Sequence, residues 1–314
     1  LGAAGYILHY SVGPERQWWA ADFNDLGIRY SFTLAAVTAV SMLLHAPKLQ
    51  FGRSVLTRHE WLVVAFLGMV WLSYLLHGQA GERFVTVDPP QVKFTKVIVF
   101  ALMLTHIATR TIDLKRIFWV MAIGALILGL QAYEVPQSSF TKGRLDSVGG
   151  PDFAEANSLA AYLGAMLPIL GVLFLRSKWV GKFVVLMAGA FATNAIVLTR
   201  SRGGLLGVLM GAAAAAITAP KRHRGKIIAG LLVAALGGLY LSDARFLERA
   251  ATIGRTEERR DVSAQSRIVM WRGGWRMIQD HPTGVGVGNW DVRISRYVPR
   301  YPGKDAHNTY INLT

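Results

Sequence analysis

The sequence predicts an all-α polytopic membrane protein, and three observations predict it. Apolar runs of membrane-spanning length recur along the chain. The short loops between them alternate between Lys/Arg-rich and Lys/Arg-poor. Only 17% of the 314 residues are Asp, Glu, Lys or Arg, against about 25% in an ordinary soluble domain. The apolar fraction is 52% and the mean hydropathy is +0.33.

A bilayer core of about 30 Å takes roughly 20 mostly apolar residues as a helix. Eight runs approach that length: 28–44, 61–76, 92–108, 117–133, 157–175, 179–198, 203–219 and 226–241. Residues 1–12 read as the tail of a ninth. The expectation is a bundle of about nine transmembrane helices over 1–241. Closely spaced small residues, such as Gly203, Gly204, Gly207 and Gly211, let helix backbones approach one another in lipid.

Charge sets the orientation. Short Lys/Arg-rich loops stay in the cytoplasm. Loop 45–60 carries Lys48, Arg53 and Arg58; loop 109–116 carries Arg110, Lys115 and Arg116. Loop 176–182 carries Arg176, Lys178 and Lys182, and loop 220–226 carries Lys221, Arg222, Arg224 and Lys226. The intervening loops 13–27, 77–91 and 134–153 hold only Arg16, Arg83, Lys142 and Arg144 against eight acids. After Leu241 the chain leaves the membrane on the outer face, so 242–314 is expected to be a large extracytoplasmic loop domain.

The formal charge of +15 does not describe a nucleic-acid-binding domain. Such a domain gathers its basic residues into one stripe on a soluble fold, and here they sit in packets between apolar runs. A disordered acidic chain is excluded by the apolar content. With no cysteine, disulfides, thiol nucleophiles and Cys-ligated metals are excluded. The opening LGAAGYILHY lacks a basic region and a small-residue cleavage site, so it does not read as a signal peptide. Without an initiator Met, it reads as the start of an internal fragment.

One outer connection breaks the charge pattern. Thr199-Arg200-Ser201-Arg202-Gly203-Gly204 puts two arginines on the outer side in a turn of almost no length. The outer segment 242–314 has 12 basic residues, of which 11 are Arg and one is Lys304. Guanidinium binds carboxylate or phosphate oxygens in a planar, two-pronged way, whereas ammonium is a hydrated point charge. The segment therefore reads either as built to grip oxyanions or as the mark of an Arg-rich codon usage.

Residues 263–280 read as an amphipathic helix ended by Pro282, with Ile268, Trp271, Trp275 and Ile278 as its apolar stripe. At about 100° per residue, Arg267 lies within about 40° of Trp271 and Ile278. Arg272 and Arg276 lie on the opposite side and face water or lipid headgroups. Two readings of Arg267 stand at this point: it reaches into a site beside the bundle, or it snorkels from a helix start. Gly284-Val285-Gly286-Val287-Gly288-Asn289-Trp290 lacks the flanking strand and helix of a dinucleotide fingerprint. It reads as a tight turn that brings backbone close to something. His307, beside Asn308, reads either as a surface or capping histidine or as a group that orients a hydroxyl near neutral pH. Asp152 or Asn157 reads as the cap of the span that follows. The histidine spacings and the absence of D-x-D motifs argue against a bound metal. Serine-hydrolase and P-loop motifs are absent from the sequence.

Taken in order, T-R-S-R-G-G (199–204), the S-R-I-V-M-W stretch through Arg267 and Trp271, D-H-P-T-G-V-G-V-G-N-W (280–290) and H-N-T-Y (307–310) resemble a family. It is the O-antigen ligase and polymerase-like family of bacterial membrane glycosyltransferases. The resemblance covers roughly 140–314. It implies a GT-C-like polytopic fold at the inner membrane, with the active site between the bundle and a periplasmic loop. It implies transfer of a glycan from an undecaprenyl-diphosphate carrier to an acceptor hydroxyl, without nucleotide sugar, metal or other cofactor. The acceptor would be lipid A-core, a growing glycan or a protein. Carried over residue by residue, the family's functional positions fall on Arg202, Arg267 and His307. Arg200 and Asn308 are secondary candidates for substrate binding. The family pattern continues past the H-N pair to closing spans, so the resemblance implies a trimmed chain.

Two rival classes fit the sequence less well. A transporter or flippase would carry ionisable residues at mid-membrane, whereas Arg29, Lys93, Lys96 and Lys226 sit near span ends. A purely structural anchor leaves Arg200 and Arg202 unexplained.

Overall fold

A computed structural model describes residues 2–45, 57–78, 89–141, 143–150, 153, 155–242, 244–251, 262–308 and 311. Lys48, Arg53, Arg83, Lys142, Asp152, Thr309 and Tyr310 lie outside the described residues. Apart from one two-stranded hairpin, the regular elements are helices. The chain divides into two compact units, Leu1–Ala46 with Ala108–Ile253, and Pro47–Ile107 with Gly254–Thr314.

The first unit contains α1 (Gly2–Val12), the short α2 (Ala21–Asp25), α3 (Tyr30–Leu44), α6 (Thr111–Glu134), α7 (Ala156–Arg176), α8 (Trp179–Thr199), α9 (Arg202–Thr218), α10 (Lys221–Leu241) and α11 (Ala244–Ala251). The second contains α4 (Arg58–His77), α5 (Pro90–Ile107), α12 (Val262–Asp280) and α13 (Trp290–Tyr297). Each of the eight apolar runs falls on a helix. Five helices among the described residues are long and apolar enough to cross a membrane: α4, α6, α7, α8 and the Arg224–Leu241 part of α10. A sixth span is counted if Trp18–Asp25 and Tyr30–Leu44, bent by 74°, act as one. With 17 residues, α9 is shorter than the span length, and α5 carries Lys93 and Lys96 near its start. The described residues are thus predominantly helical, with five or six candidate membrane spans.

In the first unit, α6, α7 and α8 form the centre. Ala125, Leu128 and Ala132 of α6 meet Leu159, Leu163 and Met166 of α7 and Ala192, Ala195 and Ile196 of α8. Small residues set the spacing: a Cβ on Gly129 would stand 2.6 Å from the Phe191 Cβ and 3.0 Å from the Ala192 nitrogen. On α9, a Cβ on Gly204 would stand 2.7 Å from the Ala160 Cβ of α7. In contrast, Leu62, Met69, Leu72, Leu75 and Leu76 on α4, and Leu232, Val233, Leu236 and Leu239 on α10, are exposed. Exposed apolar side chains along a helix of spanning length fit a lipid-facing surface.

The connection from α6 to α7 is structured. Strands β1 (Phe140–Thr141) and β2 (Arg144–Leu145) pair antiparallel, Phe140 opposite Leu145. Leu145, Val148 and Phe153 enter the α6–α7–α8 core. The Gly150 N–H donates to the Tyr10 carbonyl at 3.0 Å, and Arg16 Nη1 donates to the carbonyls of Ser147 and Gly149 at 3.2 and 3.3 Å. Burying each apolar side chain contributes about 1.5–3 kcal/mol, which anchors an otherwise turn-rich segment.

In the second unit, α4 begins with a capping box: Thr57 Oγ1 accepts from the Glu60 N–H, and Glu60 Oε2 accepts from the Thr57 N–H. Thr105 of α5 donates to Glu60 Oε1 at 2.7 Å, and Trp71 donates to Thr95 Oγ1 at 2.9 Å. These bonds tie α4 to α5 at two heights. Helices α12 and α13 share a separate core of Met270, Met277, Val285, Ile294, Val298 and Ala306.

The expected apolar stripe of α12 is corrected here. The buried residues are Ser266, Met270, Gly273, Gly274 and Met277, whereas Trp271 and Trp275 are exposed. Two glycines decide which side packs. A Cβ on Gly273 would strike Val298, and one on Gly274 would strike Ile311. The absence of side chains, rather than their apolarity, brings α13 close. Arg272 and Arg276 are exposed, as expected.

Replacing Gly129 by Leu should force α6 from α8 and cost about 1–3 kcal/mol, as overpacking does. A lowered thermal unfolding midpoint of the detergent-solubilised protein checks it.

Candidate functional site

Each unit holds one cluster that contains sequence-predicted residues. The first is the turn between α8 and α9. Only Arg200 and Ser201 separate the two helices. Arg200 sits in the left-handed region at φ 47° and ψ 36°, where a helix end usually places glycine. For a residue with a Cβ this conformation costs about 1–2 kcal/mol, so something must hold it. Arg200 is buried, and its Nη1 donates to the Gly143 carbonyl of the hairpin.

A second arginine braces the same turn. Arg144 of β2 donates from Nε to the Thr199 carbonyl at 3.0 Å and from Nη2 to Asn157 Oδ1 at 2.7 Å. Asn157 Oδ1 also accepts from the Ser201 hydroxyl at 2.9 Å. Ser201 Oγ in turn accepts from the Gly204 N–H at 3.1 Å, which caps α9. Hairpin, α7 and the α8–α9 turn are therefore one hydrogen-bonded assembly. Asn157 is not the cap of α7. It lies inside the first turn and serves the network, while Asp146 Oδ1 accepts from the Ala156 N–H at 2.9 Å.

Arg202 is the first residue of α9 and is half-buried. Its backbone is fixed by the Ser201 cap. A cation at a helix N-terminus opposes the helix dipole, so its placement calls for a reason other than helix stability. The two arginines of the turn thus differ: Arg200 is held inward on a backbone carbonyl, and Arg202 starts the next helix.

The second cluster lies where the chain after α13 returns along α12. The Trp271 indole donates to the Ala306 carbonyl at 2.8 Å, and Lys304 Nζ donates to the buried Ser266 hydroxyl at 2.6 Å. Trp290 Nε1 donates to the Lys304 carbonyl at 3.0 Å. These bonds lay residues 304–307 beside the Ser266–Trp271 stretch, and so bring His307 to the part of α12 that bears Arg267. Arg267 Nε is buried and has no hydrogen-bond partner among the described residues. A buried donor left unmatched costs about 1–3 kcal/mol; Arg293 Nε is in the same state. His307 is at φ 49°. Its N–H donates to Asp305 Oδ1 at 3.1 Å, and its Nδ1 is 3.7 Å from Asp305 Oδ2. Asn308 is half-buried.

Three non-glycine residues among those described have left-handed backbones: Ser147, Arg200 and His307. Two are sequence-predicted site residues and the third lies in the hairpin connection. Backbone strain of this kind collects at functional loops. Sequence reasoning treated Arg144 as loop charge, and did not single out Asp305 as the partner of His307. It noticed Lys304 only as the one lysine among eleven arginines, which was the available signal. Among the described residues no group of three or more His, Asp or Glu side chains could hold a metal ion.

Fold and clusters define a polytopic helical membrane protein with cation-rich polar clusters at helix ends. Residues 187–314 match the family model described as O-antigen ligase. This match takes in α9, the arginine turn, α12, α13 and His307, and it supports kinship with an O-antigen ligase-like family over that part of the chain. The match supports a glycan-transfer role of the O-antigen ligase or polymerase type. No curated protein and no solved structure matches the chain.

Removing the guanidinium of Arg144 (Arg144→Ala) leaves Asn157 Oδ1 and the Thr199 carbonyl without this donor. It should cost about 1–3 kcal/mol. At position 200 the order of stability should be Gly above Ala by about 1 kcal/mol, because only glycine is unstrained at this φ. Thermal unfolding of the two Arg200 variants side by side checks the order.

Proposed function

We propose that the protein transfers a glycan from an undecaprenyl-diphosphate carrier to an acceptor hydroxyl at the periplasmic face of the bacterial inner membrane. The preferred acceptor is lipid A-core, which makes it an O-antigen ligase. The reading takes 1–241 as a bundle of about nine GT-C-like spans and 242–314 as a periplasmic loop domain. The observation that carries it is the gathering of Arg267, Lys304, Asp305 and His307 within the segment that matches the ligase family.

The chemistry follows from charge. The acceptor oxygen attacks the anomeric carbon and forms the new C–O bond. The bond from that carbon to the diphosphate oxygen breaks with its electron pair, so the lipid diphosphate leaves with an added negative charge. Prepositioned donors at that oxygen lower the barrier, most where water is excluded. Arg202 and Arg267 are assigned to the diphosphate, and the buried, unmatched Nε of Arg267 supports its share. His307 takes the acceptor proton on Nε2 while Asp305 stabilises the resulting imidazolium. Direct attack inverts the anomeric centre. Arg200 and Asn308 are placed near substrate in supporting roles, Arg200 through the turn it holds.

The test is purified protein with an undecaprenyl-diphosphate glycan and separate acceptors. Transfer to lipid A-core supports ligase; transfer only to glycan or only to a protein hydroxyl makes it a polymerase or a protein O-oligosaccharyltransferase. Movement of the lipid-linked glycan across the bilayer without transfer makes it a flippase. Arg202→Ala and Arg267→Ala should each lower kcat about 10²–10³-fold, with correct membrane insertion checked by protease mapping. Wild-type rates in either variant contradict its assignment.

A further inference from the structure

The Gly284–Trp290 turn has no part in the transfer chemistry, yet it makes a well-defined contact inside the second unit. Gly284, Gly286 and Gly288 have φ of 86°, 94° and 81°, values that side chains disfavour. A Cβ on Gly286 would stand 2.6 Å from the His77 Cβ. Asn289, 1% exposed, donates from Nδ2 to the carbonyls of Gly78 and Val285, each at 3.0 Å. His77 ends α4, a helix long and apolar enough to span, and Gly78 caps it. The turn is therefore fixed where a membrane-spanning helix ends, the level at which hydrocarbon gives way to headgroups.

Helix α12 runs directly into this turn. Trp275 and Trp271 lie about 7.5 and 13.5 Å of helix rise before Asp280. The side of α12 turned away from its own core carries Trp271 (40% exposed), Trp275 (61% exposed), Arg272, Arg276 and Gln279. Indole rings favour the membrane interface, and guanidinium groups pair with phosphate oxygens. An exposed face holding both, on a helix joined to the end of a span, has the composition of an interfacial helix.

We propose that α12 lies in the lipid headgroup layer at the Gly78 end of α4. Trp271 and Trp275 enter the boundary between headgroups and acyl chains, and Arg272 and Arg276 bind the phosphates of anionic phospholipids. The partner is the bilayer surface, and the inference does not depend on glycan transfer. The Gly-rich turn is the anchor that keeps the helix at this depth.

The native chain has no cysteine, so a single introduced thiol reports one position. Gln279 lies about 40° from Trp275 on the same exposed face, and Gln279→Cys leaves both tryptophans in place. The full-length Gln279→Cys protein, labelled with an environment-sensitive fluorophore, is placed in phosphatidylglycerol-containing vesicles. Quenching by bromine on the upper acyl chains and protection from aqueous iodide are expected. Trp275→Cys, labelled in the same way, should behave alike. Iodide quenching without lipid quenching overturns the proposal, as does protection from both, which would mean that protein covers this face. Arg272→Gln and Arg276→Gln should each lower the docked-to-undocked ratio about fivefold in anionic vesicles. Lipid quenching equal in anionic and zwitterionic vesicles, or unchanged in these variants, overturns the assignment to anionic headgroups.

Discussion

An arginine placed among apolar helices must find an acceptor, because a buried guanidinium without one is strongly disfavoured. The structure turns on this constraint. At the α8–α9 turn the acceptors are backbone and amide oxygens: the Gly143 carbonyl for Arg200, and the Thr199 carbonyl with Asn157 for Arg144. Those bonds hold Arg200 in a left-handed backbone and seat Ser201 as the cap of α9. Arg202 inherits its position from them. The hairpin supplies both Arg144 and the Gly143 carbonyl, and is itself held by Leu145, Val148 and Phe153 in the core. Local strain at the turn is thus offset by burial several elements away.

The second unit solves the same problem differently. Lys304 is satisfied by Ser266, whereas Arg267, like Arg293, keeps a buried Nε with no hydrogen-bond partner among the described residues. His307, also in a left-handed backbone, is paired with Asp305. In the proposed reaction Arg267 serves the diphosphate leaving group and His307 the acceptor hydroxyl.

Much of the fold was legible because spans are long, apolar and bounded by charge. Every run read from hydropathy falls on a helix, and the small-residue pattern at Gly204 marks a close approach of α9 to α7. The face of α12 was not legible. Hydropathy favours Trp271 and Trp275, but packing chose Met270, Met277 and the space left by Gly273 and Gly274. A helix with an exposed tryptophan side and a methionine–glycine core side has two candidate apolar faces, and periodicity does not tell them apart. Arg202, Arg267 and His307 stood out through motif order. Arg144 did not, because its role depends on Asn157 and Thr199, which approach it only through the fold. The Gly-rich turn was read as allowing close approach, and its contact with His77 and Gly78 supplies the object approached.

The central claim is direct displacement of a lipid diphosphate by an acceptor hydroxyl. The most direct measurement is the anomeric configuration of the newly formed bond in the purified product, read by nuclear magnetic resonance against that of the lipid-linked donor. The account predicts inversion. Retention would require a covalent glycosyl intermediate that His307, Arg202 and Arg267 are not assigned to form, and would contradict it.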